Sequence, residues 1–88
     1  MTKKPFSLFS DPVRLERIEP SRHCWRFYQL EVGIDLFGHS CLTRSWGRIG
    51  TTGQERSEIF EEPNKAQEAL QHWVQKKQRR GYQLKDKP

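Results

Sequence analysis

The run Cys24-Trp25-Arg26-Phe27-Tyr28-Gln29-Leu30-Glu31-Val32-Gly33-Ile34 decides the fold. Tyr28, Leu30, Val32 and Ile34 recur at every second position, and Phe27, Gln29 and Glu31 fall between them, which is the period of a β-strand with one apolar face. After a turn at Asp35-Leu36-Phe37-Gly38 the chain returns as residues 40–49, so an antiparallel hairpin is the simplest connection, with Cys41 roughly opposite Gly33. The returning strand carries Thr43-Arg44-Ser45-Trp46-Gly47-Arg48-Ile49-Gly50. Its pleat sends Arg44, Trp46 and Arg48 to one face and Thr43, Ser45, Gly47 and Ile49 to the other. Burying an unpaired guanidinium is costly, so the small face is expected to meet the apolar face of its partner. That arrangement puts Glu31 beside Arg44 and leaves Arg44, Trp46 and Arg48 on a face away from the core.

Working outward, Val13 to Glu19 alternates in part before Pro20-Ser21 and reads as a first strand, and Gln54 to Phe60 reads as a fourth, largely polar one. Gly50-Thr51-Thr52-Gly53 supplies the turn between the third and fourth strands. Ala66, Ala69, Leu70, Trp73, Val74 and Lys77 fall on one helical stripe; Pro63 suits the first turn, Asn64 is a candidate cap, and Gly81 is a stop signal. The fold class is therefore α+β, a small antiparallel β-sheet of about four strands with one amphipathic C-terminal helix packed on one face. Residues 1–12 read as an N-terminal arm, attached through Phe6, Leu8 or Phe9. Residues 13–82 form a single domain, and residues 83–88 a basic tail.

Charge is unevenly placed. The chain has 88 residues and a formal net charge of +5. Lys76, Lys77, Arg79, Arg80, Lys85 and Lys87 stand against Asp86 alone beyond residue 75, while the preceding 75 residues are balanced. Such a cluster fits a polyanion, because lysine and arginine gain affinity by releasing condensed counterions. It also fits a basic helix end that complements the helix dipole. A domain this small has little room for an enzyme cleft. No serine or cysteine has an evident base, and the glycines after Trp46 lack the lysine pattern of a phosphate loop. Cys24, Cys41, His23 and His39 match zinc in number but not in place, since about nine strand positions separate the cysteines, roughly 30 Å. No metal or other cofactor is expected. With no signal-like or membrane-spanning apolar run and two cysteines, the reading is an intracellular, cytoplasmic protein with no membrane partner.

Several marks in order resemble the WGR domain: Phe27-Tyr28-Gln29-Leu30-Glu31, Asp35-Leu36-Phe37-Gly38, Arg44-Ser45-Trp46-Gly47-Arg48-Ile49-Gly50, Gly53-Gln54, the helix with Ala66 and Ala69, and Lys77-Gln78-Arg79-Arg80-Gly81-Tyr82. The resemblance covers residues 13–82, and the last segment and the Asp-Leu-Phe-Gly turn look most like short, free-standing bacterial members. It implies a nucleic-acid-binding module; in poly(ADP-ribose) polymerases such domains help recognise DNA breaks and relay that binding to a catalytic domain. By similarity, Trp46 packs on a terminal sugar or base and Arg48 meets phosphate or a neighbouring domain. These 88 residues hold no catalytic or zinc-finger segment, so ADP-ribosylation is not implied.

The combined expectation is a non-enzymatic binder of nucleic acid, DNA favoured over RNA, at ends or nicks. Trp46 stacks, Arg44, Arg48, Lys76, Lys77, Arg79 and Arg80 meet phosphates, and Tyr82 adds a contact or staples the helix end. The alternative is a protein-interaction module using the same Arg/Trp face. A core position for Trp46 is the competing structural reading.

Overall fold

The hairpin is the centre of the computed structural model, which describes residues 7–8 and 12–85. The strands are β1 (Ser7–Leu8), β2 (Val13–Glu19), β3 (Cys24–Ile34), β4 (Ser40–Arg48), β5 (Gln54–Phe60) and β6 (Gln83–Leu84), and the helix α1 spans Pro63–Arg79. All strand pairings are antiparallel, in the order β5-β4-β3-β2-β6, with β1 beside β3 next to β2. The four expected strands are present, β4 stopping at Arg48. Two short ones extend the sheet. Gln83 and Leu84, assigned to the tail from sequence, pair with Glu16 and Leu15. Ser7 and Leu8 pair with Ile34 and Gly33; the rest of the arm expected at residues 1–12 lies outside the described residues, apart from residue 12.

The turn between β3 and β4 is built by Asp35, whose Oδ1 accepts the backbone N–H groups of Phe37 and His39, each at 2.9 Å. Those bonds hold its carboxyl below the usual range, and Gly38 completes the turn at φ +84°. The helix starts with Pro63 in its first turn behind Glu62, which occupies the capping position. Asn64 is thus one residue inside the helix and not its cap. At the other end Gly81 takes φ +96° and donates its N–H to the Gln78 carbonyl at 3.0 Å. α1 lays Ala66, Leu70 and Val74 on Leu15, Tyr28, Leu30, Val32 and Leu42, and these eight residues are the buried core. Each large side chain among them contributes about 1.5–3 kcal/mol by leaving water.

The register corrects the assignment of faces. Tyr28 stands opposite Trp46, Leu30 opposite Arg44 and Val32 opposite Leu42. Arg44 and Trp46 therefore share the helix-covered face with the apolar side of β3, and Glu31 faces Thr43 instead of joining Arg44. The far face holds Phe27 and Thr43, both buried. Arg14 lies 4.7 Å over the Phe27 ring, and Thr43 exchanges a hydrogen bond with Ser57 at 3.0 Å.

Gly47 and Gly53 explain the small residues of the β4–β5 corner. A methyl group on Gly47 would come within 2.8 Å of the Gly53 Cα and 3.6 Å of the Phe27 ring. Gly53 is at φ +70°, and a methyl there would collide with the Trp46 carbonyl. Gly50 also has positive φ, but space around it is open. Gly53→Ala is accordingly expected to lose ~3 kcal/mol or more of stability. Gly50→Ala should lose only ~1–2 kcal/mol, for the left-handed backbone alone. Urea denaturation of the two variants checks the difference, and equal losses would contradict the packing of this corner.

Candidate nucleic-acid interface

Tyr28 is the floor of the site. β3 delivers it to the helix side, where it is only 2% exposed, and three aromatic rings surround it. Trp46 stacks at 6.1 Å between centroids and 26° between planes. Trp73, from the third turn of α1, lies at 6.1 Å, and Tyr82, just beyond the helix stop, meets the ring edge-on at 6.4 Å. Residues that read separately as strand alternation, helix stripe and chain ending thus converge on one ring.

Cations lie on this aromatic surface. The Arg44 guanidinium sits 4.1 Å over the Trp73 ring and 5.7 Å from Trp46, and its Nη1 donates to the Tyr28 hydroxyl at 2.8 Å. Its Nε is buried with no hydrogen-bond partner. Lys76 Nζ is 5.0 Å from the centroid of Trp73, and Lys77 Nζ is 4.5 Å from Tyr28 and 5.4 Å from Tyr82. Aromatic faces attract a cation through their quadrupole, which makes partial burial of these charges tolerable without a carboxylate. That is why Arg44 occupies the helix side against the simple cost argument.

The ion pairs of the described residues engage Arg14, Arg17, Arg22, His39, Lys65 and Lys85. None of them involves the cations of this site. Arg26 stands directly opposite Arg48, a like-charge pairing that weakens a sheet. Burial pushes the Lys77 ammonium below its ordinary pKa, and the positive charges of Arg80, Lys76, Arg26 and Arg44 push in the same direction. Burial also raises the Tyr28 phenol, against the opposing pull of Arg44, so it is neutral at pH 7. A surface of this kind can take flat, apolar groups against Trp46 and anionic oxygens at the cations around it.

Five of the eight residues singled out from sequence come together here: Arg44, Trp46, Lys76, Lys77 and Tyr82. Arg80 is close enough to depress Lys77. Arg48 is exposed at the end of β4, its guanidinium 5.8 Å from the Trp25 ring. Arg79 is exposed on the last helical turn. Three participants were not singled out. Tyr28 and Trp73 read as parts of the apolar strand face and the helix stripe, and Arg26 was given no role. For Tyr28 and Arg26 the signal was the register, since a strand pair with Cys41 opposite Gly33 also has Trp46 opposite Tyr28 and Arg48 opposite Arg26.

Cys24 and Cys41 are free, paired across the sheet with Glu19 and Gly33 respectively. Among the described residues no group of three or more His, Cys, Asp or Glu side chains is arranged to hold a metal ion. No helix among them is long and apolar enough to cross a membrane.

Trp46 is partly buried against the core, between the two positions considered for it. Trp46→Ala is therefore expected to cost about 2–3 kcal/mol of stability, less than a fully buried tryptophan. Tyr28→Phe keeps the ring but removes the acceptor of Arg44, for a loss of about 1–3 kcal/mol. Thermal and urea denaturation measure both. An unchanged Tyr28→Phe protein would mean that the Arg44 bond does not hold the site.

Comparison with known proteins gives the family of the chain. Over 77 residues the chain is 40% identical to "Uncharacterized protein y4dW" of Sinorhizobium fredii (strain NBRC 101917 / NGR234), an alignment covering 85% of this chain and 38% of that one. The chain thus spans well under half the length of that relative. The family model of the WGR domain matches residues 11–88, so the chain belongs to the WGR domain family, a family of nucleic-acid-binding type.

Proposed function

We propose that this chain is a non-catalytic DNA-binding module of the cell interior that engages strand ends or nicks. The observation that carries the reading is the gathering of Arg44, Lys76 and Lys77 on the Trp46, Tyr28 and Trp73 rings, with Arg26 and Arg80 near enough to act on Lys77 and Arg48 opposite Arg26, outside the ion pairs formed elsewhere on the described surface. Mutual repulsion among them is relieved by a polyanion, and binding is driven by that relief together with counterion release. The exposed part of the Trp46 indole takes a terminal base or sugar, for which an end or nick offers an unstacked face. Lys76, Lys77, Arg48, Arg79 and Arg80 supply phosphate contacts from the helix end and the end of β4.

Arg44 has a different part in this scheme. Its guanidinium already spans Trp73 and the Tyr28 hydroxyl, so it holds the aromatic surface in place and adds to its field. Tyr82 closes the floor beside Lys77. DNA is favoured over RNA because stacking and phosphate contacts suffice for this site without a group assigned to a 2′-hydroxyl.

A titration with labelled blunt, nicked, single-stranded DNA and RNA oligonucleotides at two salt concentrations tests the proposal. Affinity should be highest for ends or nicks and fall steeply between ~0.05 and ~0.2 M salt. Lys76→Gln should weaken binding and lower the magnitude of the logarithmic salt slope by about 0.7–0.9 for its one phosphate, with an unchanged melting temperature. Trp46→Ala should cost about 1–3 kcal/mol of binding beyond its effect on folding. No binding at low salt would refute the proposal. A salt-insensitive complex with a protein would favour the interaction-module reading instead.

A further inference from the structure

β5 ends the sheet with a long edge, and among the described residues no strand lies beyond it. Residues 54–59 are all exposed, so neither α1 nor any other described segment covers this edge. The outward backbone N–H and C=O groups of an edge strand are a template for another strand, and proteins ordinarily guard them with charge. Here the guard has alternating signs. Arg56 and Glu58 lie two residues apart on the helix side, opposite Arg44 and Leu42 of β4. Arg56 faces a like charge there, and the ion pairs of the described residues include neither Arg56 nor Glu58. The helix leaves that face open, because its buried side chains sit on Leu30, Val32 and Leu42 of the central strands.

The sequence Gln54-Glu55-Arg56-Ser57-Glu58-Ile59-Phe60 is charge-complementary to itself when reversed about Ser57. In an antiparallel pair of two such strands centred on Ser57, Arg56 of each copy lies directly opposite Glu58 of the other. Shifting the centre to Arg56 or Glu58 places like charges face to face. Moving it halfway toward Arg56 sets Glu55 against Glu58. Opposite charges across a strand pair stabilise it and like charges oppose it, so among registers centred on a residue the one at Ser57 alone sets opposite charges face to face. A two-fold axis through Ser57 generates the contact twice and closes it, leaving no free β5 edge to recruit a third copy.

We propose that β5 is a self-recognition edge at which a second copy of this chain adds its own β5, antiparallel and centred on Ser57. The two sheets then form one continuous sheet, with an Arg56–Glu58 pair on either side of the axis. The contact is small, so the dimer is weak and reversible and forms in the upper micromolar range. It stands apart from the nucleic-acid proposal, since neither Arg56 nor Glu58 is assigned a ligand contact.

Sedimentation velocity of the full chain, without nucleic acid, from ~5 μM to ~1 mM tests it. The expected result is a monomer that becomes a dimer with rising concentration. Arg56→Glu and Glu58→Arg alone should each raise the dissociation constant at least about tenfold, and the combined charge swap should restore association. Both side chains are exposed, and melting curves confirm that the variants fold. A monomer throughout the range overturns the proposal, as does a dimer that the single reversals leave unchanged or the double swap fails to restore.

Discussion

The contact of Arg44 with Trp73 and Tyr28 joins everything else in this molecule. The arginine comes from β4, the indole from α1 and the phenol from β3, so one guanidinium ties the helix to both strands of the hairpin. A charge at that place would ordinarily be expelled. It stays because one face rests on an indole, one nitrogen donates to a neutral phenol, and the sheet margin leaves the surroundings only half-buried. Holding Trp73 and Tyr28 in turn sets the positions of Trp46, Lys76, Lys77 and Tyr82, all of which lie against those two rings or against each other.

The consequence is a surface whose cations stand outside the ion pairs of the described residues. Aromatic faces soften the burial of these cations but carry no counter-charge, so Lys77 remains displaced toward its neutral form by burial and by four neighbouring cations. A lysine whose folded pKa is lowered costs stability while it is charged. That cost is present below the folded pKa and is relieved as pH rises through it toward the unfolded value. A bound polyanion acts the other way and restores the charged form. Under the proposed function, stability and binding are therefore opposed at this residue.

The secondary structure was legible because its signals are local. The alternation from Cys24 to Ile34, the helix stripe through Ala66, Leu70 and Val74, and the glycine stop at residue 81 each need only near neighbours in sequence. The sidedness of β4 was not. The avoidance of buried charge pointed Arg44 away from the helix, whereas the count from the Gly33–Cys41 pair placed it under the helix, and the count prevails. What sequence alone lacked was the partner of Arg44, because Trp73 lies 29 residues further along the chain and arrives over the guanidinium only once the helix docks. The short strands at Ser7–Leu8 and Gln83–Leu84 escaped for a related reason, as two-residue pairings carry no period of their own.

The central claim is the proposal that the cations on this aromatic floor, which no ion pair of the described residues engages, take their counter-charge from an anionic ligand. The most direct measurement is an NMR titration of the Lys77 side chain, free and bound to a short 5′-phosphorylated DNA duplex. The account predicts a pKa below the ordinary lysine value in the free protein and an upward shift on binding. A free pKa at or above the ordinary value, or no upward shift in the complex, would contradict it.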